Sequence, residues 1–241
     1  MELVKLNQSF SAQLYARIGG LAYLVIIVTG ALGELYIRSK LVVPGNPAAT
    51  AGNIQAFGLL WRLGIAGDLL MHICDLVLSL VYYSLFKNVN KNLALLSLFF
   101  GIIQTAVLVA NKLNLVMPLL LLNNQEYLTA FTQQQLQVWS LLAIKAHDHG
   151  FAIGLVFFGC ACLIDGWLMF YSGFLPKALG ILIAVTGLAY LVNSFTLIVL
   201  PAQSSTVFPI LLGVASIGEL SVCLWLLIKG INLKKWEQLQ Y

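Results

Sequence analysis

Asp68, His72 and Asp75 lie in the stretch GDLLMHICD, inside a long apolar run. Their spacings of four and three put them within about 60° of arc on a helix of 3.6 residues per turn. Trp61, Gly64, Ser79 and Tyr82 fall on the same stripe. A second concentration is KAHDHG at 145–150, where His147 and Asp148 point about 100° apart and His147 and His149 about 200° apart. Only one of these histidines can face an interior squarely. His147 shares its face with Gly150, Gly154, Ala161 and Asp165, which selects it and leaves His149 peripheral.

Carboxylates and imidazoles so placed have three uses. They can fasten helices by hydrogen bonds, hold a small polar ligand, ion or proton, or ligate a metal. Asp68, His72, Asp75 and His147 together would suit zinc, iron or manganese. The carboxylate-x3-His-x2-carboxylate order is nevertheless not a zinc signature such as HExxH. A haem held by His72 and His147 is the weakest option, because the chain has only 3 histidines. No GxSxG, no GKS or GKT loop and no dinucleotide fingerprint is present, so enzyme classes built on those motifs have no support.

Composition fixes the medium in which this chemistry must work. Hydrophobic residues make up 60% of the 241, charged residues 9%, and mean hydropathy is +0.92. A soluble domain carries about 25% charged residues, so a soluble or disordered chain is excluded. A net charge of +4 from 13 basic and 9 acidic residues excludes a nucleic-acid partner that depends on a phosphate-binding patch. The reading is an all-α integral membrane protein, a single transmembrane domain over 1–241.

A helical crossing of a bilayer core needs about 20 apolar residues. Six stretches supply them: 16–37, 59–86, 93–122, 138–171 (with its apolar core at 150–171), 178–200 and 207–228. Continuous runs exclude a transmembrane β-barrel. The first run is too long for a cleaved signal peptide and is expected to persist as an anchor. Lys5, Arg17, Lys87, Lys91, Lys177, Lys229, Lys234 and Lys235 lie at one end of the spans. Arg38, Lys40, Arg62, Lys112 and Lys145 lie at the other. The positive-inside rule puts both termini in the cytoplasm. Turns at NVNKN and SGFLPK are short, whereas the outer loops 38–58 and 123–137 are long, and the second could carry an interfacial helix.

Ionisable side chains at membrane depth cost about 2.5–3.5 kcal/mol each on insertion scales, so each requires a partner or a cavity. Depth counted from the span ends puts Glu34, Asp68, Asn111, Asn193 and His147 in the outer half, with Asp148 beside His147. His72 and Glu219 lie near the middle, Asp75 slightly lower and Asp165 toward the cytoplasmic end, outside the cluster. Ser97, Gln104 and Asn111 align on the third span, Thr186, Tyr190 and Asn193 on the fifth, and Ser216, Glu219 and Cys223 on the sixth. A polar pocket open to the outer face is the expectation. Lys112, Arg62 and Lys145 are expected to snorkel to the interface. Trp61, Trp139 and Trp236 are expected to anchor there, with the tail KKWEQLQY against anionic lipid. Pro118, Pro176, Pro201 and Pro209 read as punctuation at span ends. Cys74, Cys160, Cys162 and Cys223 read as small buried hydrophobes.

ARIGGLAYLVIIVTG at 16–30, RLGIAGDLLMHICDLVLSLVYYSLFKNVNKNLALL at 62–96, HDHGFAIGLVFFG at 147–159 and SGFLPKALGILIAVTGLAYLVNSF at 172–195 together resemble one family. It is the set of bacterial membrane proteins grouped as domain of unknown function 4386, and the resemblance covers about residues 12 to 230. It rests on Asp68 and Asp75 in span 2, on Asn90 to Leu96, and on the pair His147 and Asp148. Where the family pattern has an aromatic, this chain has His149. The resemblance implies a six-span protein of the bacterial inner membrane and no assigned activity.

The leading reading is a six-helix membrane bundle, monomeric or a homodimer, that binds or translocates a small polar ligand or cation through Asp68, Asp75, His72, His147 and Glu34. The alternatives are a metal-dependent intramembrane enzyme acting on a lipid-type substrate and a non-catalytic accessory or sensor protein. Its partners are the bilayer and that ligand.

Overall fold

Backbone polar groups in lipid must be satisfied within a segment, which restricts long apolar runs to helices. Every regular element among the described residues of the computed structural model, 2–123 and 128–239, is helical. The order is α1 (Glu2–Ala31), a π-helical stretch (Leu32–Arg38), α2 (Ser39–Leu41), α3 (Pro47–Ala56), α4 (Gly58–Phe86) and α5 (Lys91–Asn111). It continues with α6 (Leu113–Leu121), α7 (Gln133–Tyr171), α8 (Lys177–Val199), α9 (Pro201–Ile228) and α10 (Leu233–Gln238).

Among the described residues six stretches are long and apolar enough to cross a membrane: Ala12–Leu41, Gly58–Phe86, Lys91–Leu121, Gln133–Tyr171, Lys177–Val199 and Pro201–Ile228. They are the six expected spans, and the protein is a multi-pass membrane protein. The first is longer than expected because the π-helical stretch carries it past Glu34 to Leu41. The fourth extends back to Gln133, through the Gln-rich sequence.

Two of the four prolines punctuate as expected. Pro176 caps α8 in an extended conformation and Pro201 opens α9, where no intrahelical N–H is forfeited. Pro118 and Pro209 sit instead inside α6 and α9. The third span breaks six residues before Pro118, at Lys112, whose N–H turns to Val109 O at 3.1 Å. The first long loop contains an unforeseen helix, α3. Asn46 Oδ1 caps it by accepting from Ala49 N at 3.0 Å, and Pro47 supplies its first turn. The interfacial helix expected in 123–137 falls partly on 124–127, outside the described residues, and from Gln133 onward that segment belongs to α7.

The chain divides into two compact units. Unit 1 comprises Met1–Val25, Ile73–Thr105 and Ala152–Tyr241. Here the Phe86 ring stacks on Phe174 with centroids 5.6 Å apart. Trp236 is buried rather than interfacial, and its Nε1 donates to Leu85 O at 3.3 Å. The expected lipid-lying tail is thus partly an internal packing element. Helices α7 and α8 meet through glycines: a methyl group placed on Gly166 would lie 2.6 Å from Gly180 O and 2.7 Å from Ala184 N. Such backbone proximity is how helices associate without a hydrophobic driving force between them.

Unit 2 comprises Ile26–His72 and Ala106–Phe151. Its core is Ile37, Leu41, Ile54, Trp61, Leu115 and Ile144. Trp61 is also buried, not interfacial, and its indole N–H donates to Leu115 O at 2.8 Å. Trp139 is exposed.

Gly166→Leu should destabilise the protein in detergent by at least the ~1–3 kcal/mol of core overpacking. Gly52→Ala in α3, where an added methyl meets nothing within 4 Å, should be neutral or raise stability by up to ~1 kcal/mol. Thermal unfolding of the two variants checks the contrast. Equal melting temperatures would contradict the α7–α8 contact.

Candidate functional site

Unit 2 is organised around the carboxylate of Asp68, whose side chain is fully buried. Arg38 reaches it with two nitrogens, Nη1 to Oδ2 at 2.9 Å and Nη2 to Oδ1 at 3.4 Å. Lys112 Nζ donates to the same Oδ2 at 2.9 Å. One anion therefore holds two cations, delivered by the end of the first span and the break in the third. A second anion, Glu34, accepts from Arg38 Nε at 2.6 Å but stays half exposed, with 49% of its side chain accessible.

Local sequence explains how Arg38 gets there. In the π-helical stretch Leu32–Arg38 the backbone bonds reach one residue farther, as in Ser39 N–H to Glu34 O. Such stretches are rare and frequent at functional sites. The wider turn stacks Glu34 and Arg38, four residues apart, over one another. Gly33 clears the approach: a methyl group there would lie 2.7 Å from Asp68 Oδ1 and 3.0 Å from Arg38 Nη2.

The other face of Lys112 meets His147, with Nζ and Nε2 separated by 3.3 Å. An ammonium group can only donate, so Nε2 carries the lone pair and the ring proton sits on Nδ1. Nδ1 faces Asp148 Oδ1 at 3.7 Å, a longer contact to a carboxylate that is mostly exposed. Phe151 lies under both groups, its ring 5.8 Å from Lys112 Nζ and stacked at 6.1 Å from His147. Asn111 Nδ2 donates to the His147 carbonyl at 2.8 Å and accepts through Oδ1 from Asn114 Nδ2 at 2.9 Å. Gly150 leaves Asn111 its space, for a methyl group there would strike the Asn111 amide.

The structure thus gathers Glu34, Asp68, Asn111, His147 and Asp148 in unit 2. His72 is buried in the same unit. Asp75, Asn193 and Glu219 belong to unit 1, where Tyr190 Oη donates to Glu219 Oε1 at 2.8 Å. Among the described residues no three His, Cys, Asp or Glu side chains form a group that could hold a metal ion. Within unit 2 the Asp68 carboxylate is taken up by Arg38 and Lys112, and His147 Nε2 faces Lys112.

The two cations are what the sequence reading misplaced. Arg38 looks like a loop residue and Lys112 like a snorkelling one, yet both turn into the cluster, Lys112 buried and Arg38 half-buried. One signal was available for Lys112. Nine residues separate it from the end of α6 at Leu121, about 14 Å at 1.5 Å per residue, which is deep for a side chain that must keep its charged head in water.

Comparison with known proteins adds a family but no chemistry. The family model described as "Domain of unknown function (DUF4386)" matches residues 18–230. A relative from Archaeoglobus fulgidus, described as an uncharacterized protein, is 27% identical over 172 residues, covering 71% of this chain and 86% of its own. The likeness therefore extends to an archaeon. No solved structure matches.

Removing Asp68's charge strands the buried Lys112 and leaves Arg38 only the half-exposed Glu34, whereas removing Lys112 leaves the Arg38–Asp68 pair intact. Asp68→Asn should cost ~3–5 kcal/mol, the range for breaking a buried pair, and Lys112→Met clearly less. The double variant Asp68→Leu with Lys112→Met should lose less than the sum of the single losses. Unfolding curves in one detergent measure all of these. Additive losses would contradict the shared carboxylate.

Proposed function

Because the chain belongs to the family described as "Domain of unknown function (DUF4386)", its chemistry has to come from its own residues, and we propose that it binds a small anionic or zwitterionic ligand at Arg38 and Lys112. The observation that carries this reading is the imbalance at Asp68. Two cations, Lys112 buried and Arg38 half-buried, share one buried carboxylate, and the only other anion in contact with them among the described residues, Glu34, is half exposed. Glu34 then acts as a placeholder: it sits on Arg38 Nε until the carboxylate or phosphate of a ligand takes over that donor. The guanidinium suits such an exchange, because its fixed fork of donors matches carboxylate and phosphate geometry. Asp148, beside His147 and mostly exposed, gives a positively charged group on the ligand a place to rest. The small cation of the leading sequence reading is disfavoured, since the Asp68 carboxylate is already satisfied twice.

The membrane is the cytoplasmic membrane of a prokaryote, with the lysine-rich short turns inside and the cluster reached from the outer face. The Lys and Arg asymmetry of the span ends supports that orientation. A second reading, an inert clamp, has its own support in the way Asp68 ties the first, second and third spans together. Ligand response separates the two.

The test is thermal stability of the purified protein against small carboxylates and phosphates. A ligand present at 100 times its Kd stabilises by about 2.7 kcal/mol. At least one such anion should raise the melting temperature of the parent protein, act at lower concentration on Glu34→Gln, and have no effect on Arg38→Gln. No response to any anion, or an equal response in Arg38→Gln, would leave the clamp.

A further inference from the structure

Among the described residues, unit 1 holds two carboxyl groups with no basic partner, Asp165 buried and Glu219 half-buried. Asp165, on α7, accepts from Ser97 Oγ on α5 at 2.6 Å. Glu219, on α9, accepts from Tyr190 Oη on α8 at 2.8 Å. Each thus has one hydroxyl donor, and neither is in an ion pair among the described residues. The groups that act on Glu219 from neighbouring elements are Tyr190 of α8 and Asp75 of α4, and Glu219 in turn acts on Tyr23 of α1 and on Cys162 of α7. Around Asp165 they are Ser97, Tyr82 and Cys162. None is a Lys, Arg or His.

An ionised carboxylate at membrane depth without a cation is costly. A protonated carboxyl removes that cost but presents an O–H that itself needs an acceptor. Tyr82, in the same unit, offers a candidate acceptor: among the described residues its buried hydroxyl has no hydrogen-bond partner, and the residue is only 8% exposed. Depth staggers the two acids. Asp165 is six residues from the end of α7 at Tyr171 and Glu219 nine from the end of α9 at Ile228, about 9 and 14 Å along the helices.

We propose that Asp165 and Glu219 form a proton-binding pair in unit 1, separate from the anion site at Arg38 and Lys112, which exchanges protons with solvent and uses Tyr82 as the acceptor between its steps. The exchange is a simple proton transfer: a carboxylate oxygen gains a proton from hydronium, so that one O–H bond breaks as another forms and water is left.

Infrared spectroscopy of the full chain in nanodiscs of ether-linked lipid, which has no ester carbonyl, reads this directly. The expected result is two carboxylic-acid carbonyl bands that grow as the pH falls and shift in heavy water. Asp165→Asn should remove one and Glu219→Gln the other, while Tyr82→Phe should move the frequency of a band without removing it. Should a variant fail to fold, carbon-13 aspartate in the parent protein must shift one band and leave the other. Absence of carboxylic-acid bands would overturn the proposal. So would bands that ignore pH, which would make both acids permanently neutral structural groups, or bands that survive in both variants.

Discussion

The carboxylate of Asp68 is the constraint on which unit 2 depends. An apolar chain can keep an ionised group inside only if that group is paired and hydrogen-bonded, and Asp68 is paired twice. Several local irregularities then have a common cause. The π-helical turn swings Arg38 inward, the missing side chain of Gly33 leaves room for the contact, and the break at residue 112 frees Lys112 from the line of its helix. Each departs from an ideal helix, and each serves the same oxygen atoms. A regular helix over 32–38 with alanine at 33 would satisfy local propensity better and leave Asp68 to Lys112 alone.

Unit 1 meets the same requirement with different chemistry. Asp165 and Glu219 take hydrogen bonds from Ser97 and Tyr190 instead of salt bridges. A hydroxyl donor costs little to bury but does not neutralise a charge, so these acids depend on a proton where Asp68 depends on cations. The distinction follows from residue type alone: Arg38 and Lys112 belong to unit 2, and among the described residues no basic side chain acts on either acid of unit 1.

How much of this is legible in the sequence follows from which forces act locally. The six spans are legible because bilayer thickness and backbone satisfaction dictate long apolar helices whatever the tertiary contacts. The stripe of Asp68, His72 and Asp75 is legible because helical periodicity is local, and so are the caps at Pro176 and Pro201. Pairing between helices is not. Arg38 and Lys112 sit 30 and 44 residues from Asp68, and nothing at residue 38 or 112 announces its partner. Trp61 and Trp236 illustrate the same limit, because a tryptophan near a span end satisfies its N–H equally well at the lipid interface or on a neighbour's carbonyl. The helix at Pro47–Ala56 is the opposite case. Its Asn-Pro start is a readable signal that the length of the loop obscured.

The account's central claim is that Glu34 holds Arg38 Nε in place of a ligand anion. The most direct measurement is the nitrogen-15 NMR signal of the Arg38 Nε–H in arginine-labelled protein in nanodiscs, titrated with inorganic phosphate and with acetate. The account predicts a strongly hydrogen-bonded signal in the free protein, its displacement in Glu34→Gln, and its return in that variant when one of the anions is added. An Arg38 signal unchanged by Glu34→Gln and by both anions would contradict it.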